Sequence, residues 1–123
     1  MSLKLRIFLL LSGLLLNVQV VAQPGYQPRW EDKLRSALAA AQRGECPKVL
    51  MVPTLEYVCL QQIGNMSARM TQLGSIQDIT FQGTQSSPNG PMESYVVRFA
   101  NGQMLWLVNT DADGKLATLW SPG

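Results

Sequence analysis

Residues 95–108 read YVVRFANGQMLWLV, and this stretch decides the fold. Large apolar side chains alternate with other residues on both sides of an Asn-Gly dipeptide at 101–102, which is the pattern of two half-buried strands. Asn-Gly favours a two-residue type I′ turn, because both central residues of that turn need positive φ. The stretch therefore predicts a β-hairpin in which Val97 pairs with Trp106.

The predicted hairpin carries apolar side chains on both of its faces. The larger ones share the inner face, where they form a candidate pocket for a small apolar ligand: Tyr95, Phe99, Met104 and Trp106. A second strip lies on the outer face and consists of Val96, Leu105 and Leu107, joined by Ala117 or Leu119. Soluble monomers seldom leave such a strip bare. Either the N-terminal helix or the lead-in segment covers it, or it is an interface for a protein partner or for a homodimer.

Further strands are predicted on both sides of the hairpin. Ile79 and Phe81 alternate with polar residues and predict a preceding strand, and residues 83–92 are rich in turn formers and predict a mobile loop. Residues 111–114 predict a turn before a last strand at 115–120. Together these segments predict a four-stranded antiparallel meander.

Helical periodicity precedes the strands. From Trp30 the apolar residues recur at helical spacing until Gly44, and a second such stripe runs from Leu55 to Gly74. Residues 49–52 are a short apolar segment that is either a helical turn or a buried connector. The predicted class is α+β, with two or three N-terminal helices packed on one face of the meander.

The N-terminus has the pattern of an export signal. Lys4 and Arg6 precede an apolar stretch of ten residues at 7–16, and small or slender residues follow up to Ala22. The run is interrupted too early for a membrane span, which needs about 20 apolar residues. We therefore expect a signal peptide at 1–22, a flexible lead-in at 23–29, one domain at 30–120 and a tail at 121–123. The expected location is the periplasm or the extracellular space, with no membrane attachment after cleavage.

Cys46 and Cys59 are the two cysteines of the chain. An even number of cysteines in a small exported protein usually forms disulfides. Two buried free thiols or a redox pair are the alternatives, although the two residues do not form a C-x-x-C motif. A metal site is not expected, because the chain has no His and two cysteines alone do not make a zinc site.

Charge and composition argue against two classes of function, nucleic-acid binding and catalysis. The net charge of +2 comes from the leader, since removing Lys4 and Arg6 leaves eight residues of each sign, so binding to nucleic acid is not expected. For catalysis, the residues considered are Asp78 or Glu56 as a base with a tyrosine, Tyr57 or Tyr95, as a donor. Both carboxylates fall on polar faces and are better explained as surface charge. No catalytic residue and no cofactor is therefore assigned.

Several segments together resemble bacterial members of the nuclear transport factor 2-like superfamily, also called cystatin-like or SnoaL-like. They are residues 73–76, 81–83, 95–99, Asn101-Gly102, Trp106 and 111–116. The resemblance implies a curved sheet wrapped on helices, often with an apolar pocket and often dimeric through the outer sheet face. The outer apolar strip and the lack of catalytic groups make an exported, non-enzymatic, self-associating or partner-binding domain the leading hypothesis. A protein that binds a small apolar ligand, with ketosteroid-isomerase-like chemistry, is the alternative.

Overall fold

The structure is a computed structural model and describes residues 25–123. Two helices, α1 (Glu31–Gln42) and α2 (Pro53–Leu73), precede four strands. The strands are β1 (Ile76–Gln85), β2 (Met92–Phe99), β3 (Gly102–Thr110) and β4 (Leu116–Trp120). They form one antiparallel sheet in the order β1-β2-β3-β4, which confirms the predicted α+β meander. The predicted signal peptide lies outside the described residues.

The helix α1 buries one face and ends where the sequence indicates. Leu34 and Leu38 are fully buried one turn apart, and they pack with the inner-face residues of the sheet. Glu31 and Asp32 lie in the first turn, where carboxylates complement the positive end of the helix dipole. Gly44 has φ 78°, so it supplies the left-handed residue that follows many helix ends.

The connector between α1 and α2 also pairs with β4. Cys46 and Cys59 form a disulfide with 6.0 Å between their Cα atoms, which ties the connector to α2 and confirms the predicted pair. The Leu50 N–H donates to the Pro47 carbonyl at 2.9 Å in a hydrogen-bonded turn, and Met51 then makes an isolated parallel bridge with Leu116. The segment 49–52 therefore begins in a turn and ends as a connector paired with β4. The helix α2 begins at Pro53, because proline is well tolerated at the first helical position. No helix within residues 25–123 is long and apolar enough to cross a membrane.

The hairpin forms, but its predicted register and turn are wrong. Phe99 pairs with Gly102 and Tyr95 pairs with Trp106, so the turn residues are Ala100 and Asn101. Neither has positive φ, which excludes the type I′ turn. The register differs from the predicted one by two positions. Since side chains alternate with a period of two, every residue keeps its predicted face.

Contacts with α2 explain the displaced turn. The Asn101 main-chain N–H donates to the Leu73 carbonyl at 2.8 Å, and the Asn101 side-chain amide donates to the Gln72 carbonyl at 3.1 Å. These carbonyls belong to the last turn of α2, which has no intrahelical donors for them. Asn101 therefore caps the C-terminus of α2, and these tertiary hydrogen bonds outweigh its local preference for a type I′ turn.

The loop and the last strand also differ in detail from expectation. The strand β1 extends to Gln85 and β2 begins at Met92, so the connection is shorter than the predicted loop. In β4, Leu119 pairs with Val108 and packs against the core, whereas Ala117 is exposed. Leu119 therefore does not join the outer strip. Trp120 pairs with Leu107 instead and is 55% exposed.

Candidate binding groove

A groove of about 480 Å³ runs between α2 and the β3–β4 side of the sheet. Its volume lies in the range of ligand sites, which is about 300–1,000 Å³. One wall is formed by α2, and the other consists of β3, β4 and the residue after β4. The residues that line it are Gln61, Gln62, Asn65, Met66, Arg69, Met70, Met104, Trp106, Leu119, Trp120 and Ser121. We call this feature the α2–β4 groove.

The helical wall of the groove is polar and exposed. Gln61, Gln62, Asn65 and Arg69 are all exposed along two turns of α2. Within residues 25–123 the four ion pairs involve other arginines, so no carboxylate pairs with Arg69. The guanidinium group of Arg69 is thus free to meet an anion from outside the molecule.

The sheet wall and the floor are apolar. Met70 is buried, and Met66, Met104 and Leu119 are partly buried against the core. Trp106 is the fifth apolar residue of this surface and is 4% exposed. Methionine side chains adapt to guests of different shape, since they are unbranched and polarisable. The combination of apolar floor and polar rim is typical of protein recognition sites.

Trp106 also carries an unsatisfied buried donor. Its indole Nε1 is buried and has no hydrogen-bond partner in the structure. Buried polar groups are satisfied in the large majority of cases, because an unpaired one costs about 1–3 kcal/mol. Trp106 borders both the groove and a smaller inner cavity of about 40 Å³. Gln62, Met66 and Leu119 also border both spaces, so the inner cavity lies directly behind the groove.

The strand β4 presents an open edge beside the groove. At Leu116 this edge is occupied by the connector: the Val52 N–H donates to the Leu116 carbonyl at 2.9 Å, and the Leu116 N–H donates to the Leu50 carbonyl at 2.7 Å. At Pro53 the connector turns into α2 and leaves the strand. Within the described chain, no strand pairs with the outer side of residues 117–120. An open strand edge can pair with an added chain.

The four residues predicted to form an apolar pocket are divided between the groove and the core. Met104 and Trp106 line the groove. Tyr95 and Phe99 are 0% and 2% exposed and belong to the core, where Tyr95 meets Phe81 edge to face with 5.6 Å between ring centroids. On the outer face, Val96 and Leu105 are half-buried and Leu107 is 7% exposed.

Glu93, near the start of β2, is a buried carboxylate that was not predicted from the sequence. Glu93 is 0% exposed and accepts hydrogen bonds from the main-chain N–H groups of Arg29 and Trp30 at 3.0 and 3.1 Å. The hydroxyls of Tyr26 and Tyr95 also donate to it. Glu93 thereby caps the N-terminus of α1, whose own N-cap residue, Trp30, makes no side-chain cap bond. We call these groups the Glu93 cluster.

The environment of the Glu93 cluster perturbs its phenols. Burial and the hydrogen bond to the Glu93 carboxylate raise the pKa of Tyr95 far above its ordinary value of 10.0. The same two causes raise the pKa of Tyr26. The ring of Tyr26 also stacks on the ring of Phe81, with 5.5 Å between the ring centroids. Residues 25–29, predicted as a flexible lead-in, are thus held to the domain through Tyr26 and Arg29.

None of the groups considered for catalysis lines the groove, and Glu56 and its neighbour Tyr57 lie near the N-terminus of α2. Asp78 accepts a hydrogen bond from Arg98 Nε at 3.0 Å in an exposed ion pair, and Tyr57 is 64% exposed. Tyr95 is committed to the Glu93 cluster. Within residues 25–123, no group of three or more His, Cys, Asp or Glu side chains is placed to hold a metal ion.

Comparisons with known proteins give no further guide to this site. No protein-family model, no curated protein and no solved structure matches the chain.

Proposed function

We propose that this protein is an exported, non-enzymatic binding domain that holds an extended segment of a protein partner in the α2–β4 groove. The observation that carries the proposal is the open edge of β4 beside an apolar floor with unpaired amide and guanidinium side chains. An added chain would find main-chain partners on β4 and side-chain partners on α2. Peptide recognition by strand addition combines these two elements.

The composition of the groove favours binding over catalysis. Its lining residues include no carboxylate, thiol or phenol that could act as a general base or nucleophile. Arg69 is the one ionisable group among them. The disulfide is compatible with export, because such bonds persist in oxidising compartments.

The geometry favours the groove over the two sites expected from the sequence. The outer strip offers little free apolar surface, since Leu107 is buried and its neighbours are half-buried. A small apolar ligand against Tyr95 and Phe99 would have to displace side chains of the packed core. The inner cavity beside Trp106, at about 40 Å³, holds no more than a small group.

A library of random linear peptides displayed on phage and selected on the immobilised domain tests this function. Peptides that bind should lose about tenfold or more in affinity when Asn65→Trp fills the groove. Thr71→Trp is the matched control, because Thr71 is exposed on α2 outside the groove lining. Enriched peptides that bind both variants equally, or a selection that enriches no peptide, would contradict the proposal.

A further inference from the structure

We propose that the α2–β4 groove holds its guest through the main chain: a short extended segment of a partner protein pairs with the N–H and C=O groups of Leu119 and Ser121. This inference rests on the proposed function and specifies which atoms bind and what the segment must present. It is carried by the hydrogen-bond pattern of β3 and β4 and by the residues that line the groove.

The main-chain groups of Leu119 point away from β3. The Leu105 N–H donates to the Gly123 carbonyl at 3.4 Å, so Leu105 faces the side of β3 on which β4 and the tail lie. Successive residues of a strand direct their main-chain groups to alternate sides, so Leu107 faces β4 as well. Leu107 pairs with Trp120, whose main-chain groups are therefore used in the ladder with β3. Those of Leu119, one residue earlier, are directed to the open edge.

The pairing of Leu116 with the connector leads to the same result. The main-chain groups of Leu116 bond to the connector on the outer side of β4. Leu119 is three residues further on, and in a regular strand it would face the opposite side. The ladder with β3 shifts between Asn109 and Thr110, which adds one residue to β4 and turns Leu116 and Leu119 to the same edge. Both side chains lie against the core, as this arrangement requires.

The main chain at this edge also borders the groove. Leu119, Trp120 and Ser121 all line it. Side chains of successive residues in an extended chain point to opposite faces, so a lining of three consecutive residues includes the backbone that joins them. The open edge is short, because the connector occupies Leu116 and Pro122 has no N–H to offer. Between these limits, the alternation turns Leu119 and Ser121 outward.

This edge defines the chemistry of the guest. It already binds an extended chain at Leu116, and a guest strand would continue that pairing. In either strand direction, the guest residue opposite Leu119 has its side chain on the inner face, toward the apolar floor of the groove. We therefore expect a segment of about three extended residues with an apolar side chain at that position. Proline is excluded wherever the guest's N–H must donate to β4.

Single N-methylation of a peptide obtained from the phage selection tests the guest's donors. An N-methyl group cannot donate, so methylation of the residues whose N–H groups face β4 should weaken binding to the full domain by about tenfold or more. The intervening residues are the matched controls, because their N–H groups face away from β4, and they should lose about threefold or less. Losses that do not follow this two-residue period overturn the inference while leaving the binding function intact.

Hydrogen exchange, followed residue by residue in ¹H–¹⁵N spectra of the labelled domain, tests the edge itself. In the free domain the Leu119 amide should exchange at least about tenfold faster than the Trp120 amide, which is bonded in the ladder. Saturation with the selected peptide should slow the Leu119 amide by about tenfold or more and leave Trp120 nearly unchanged. A slow Leu119 amide in the free domain, or a fast one that the peptide does not slow, overturns the inference. A fast Leu119 amide in a domain that selects no groove-dependent peptide refutes the binding function, and this inference fails with it.

Discussion

Replacing Glu93 by alanine is expected to lower the free energy of unfolding by about 3 kcal/mol. The substitution leaves the hydroxyl of Tyr95 in the core without an acceptor, which costs about 1–3 kcal/mol. It also removes the cap from the main-chain N–H groups of Arg29 and Trp30, at about 1 kcal/mol. Relief from burying a carboxylate offsets part of the loss. A small domain has about 5–15 kcal/mol of stability, so the variant should fold with a reduced margin.

Urea unfolding followed by tryptophan fluorescence measures this loss, and the midpoint should fall by about 2 M. Glu93→Gln keeps one acceptor oxygen and should lose about half as much. Glu45→Gln is the control, because Glu45 forms an exposed ion pair with Arg43 and such pairs contribute about 0–1 kcal/mol. A loss below about 1 kcal/mol for Glu93→Ala, or an equal loss for the control, would refute the capping role.

Three further outcomes follow from the same structure. The raised pKa of Tyr95 means that the unfolded chain loses this phenolic proton first, so the contribution of Tyr95 to stability should be constant below about pH 10 and fall as the pH rises above it. Tyr95→Phe should flatten this decline in denaturation midpoints taken from pH 7 to 11. Replacing Cys46 and Cys59 together by alanine should cost about 3 kcal/mol in the same urea assay, and an unchanged midpoint would show that the bridge adds no stability. Gly74→Ala should lower the free energy of unfolding by about 1–3 kcal/mol, because Gly74 has φ 85° and ψ −166° and an added Cβ would lie 3.0 Å from the Cβ of Ala100. Gly64→Ala, in the open middle of α2, should raise it by about 0.5–1 kcal/mol. Equal effects of the two substitutions would contradict the backbone argument.

The architecture was predictable from the sequence because its signals are local. Alternation around residues 95–108 and helical spacing before Gly44 and Gly74 each reflect burial on one face of one element. The hairpin register was not predictable in the same way, since Asn101 bonds to the end of α2. Nothing near Asn101 in the sequence encodes that contact. The faces of the hairpin were nevertheless correct, because a displacement of two residues preserves them.

The alternation of residues in β2 already indicated that Glu93 is buried, although its charge favours an exposed position. Glu93 precedes Tyr95, Val97 and Phe99 at intervals of two, so the alternation that buries those residues also turns Glu93 inward. A carboxylate at such a position needs donors, and the nearby phenol of Tyr95 was one. Its main-chain donors at 29 and 30 lie more than sixty residues away in the sequence, so only the fold identifies them.

The α2–β4 groove could not be foreseen because it depends on how separate elements meet. Its polar side chains at 61–69 are an ordinary solvated helix face when α2 is considered alone. The alternation identified Met104 and Trp106 as inner-face residues. It did not show that a groove between them and α2 stays open. The open edge of β4 likewise depends on where the connector at 49–52 stops pairing.

The Glu93 cluster has a consequence for how the molecule opens. The first amides of a helix normally exchange with solvent by fraying, without disturbing the rest of a protein. Here the amides of Arg29 and Trp30 are bonded to Glu93, a side chain of the central strand β2, so their release also requires a movement of β2. The N-terminal segment, the start of α1 and the central strands should therefore open as one cooperative unit. Deuterium uptake at these two amides would then be as slow as that of the sheet.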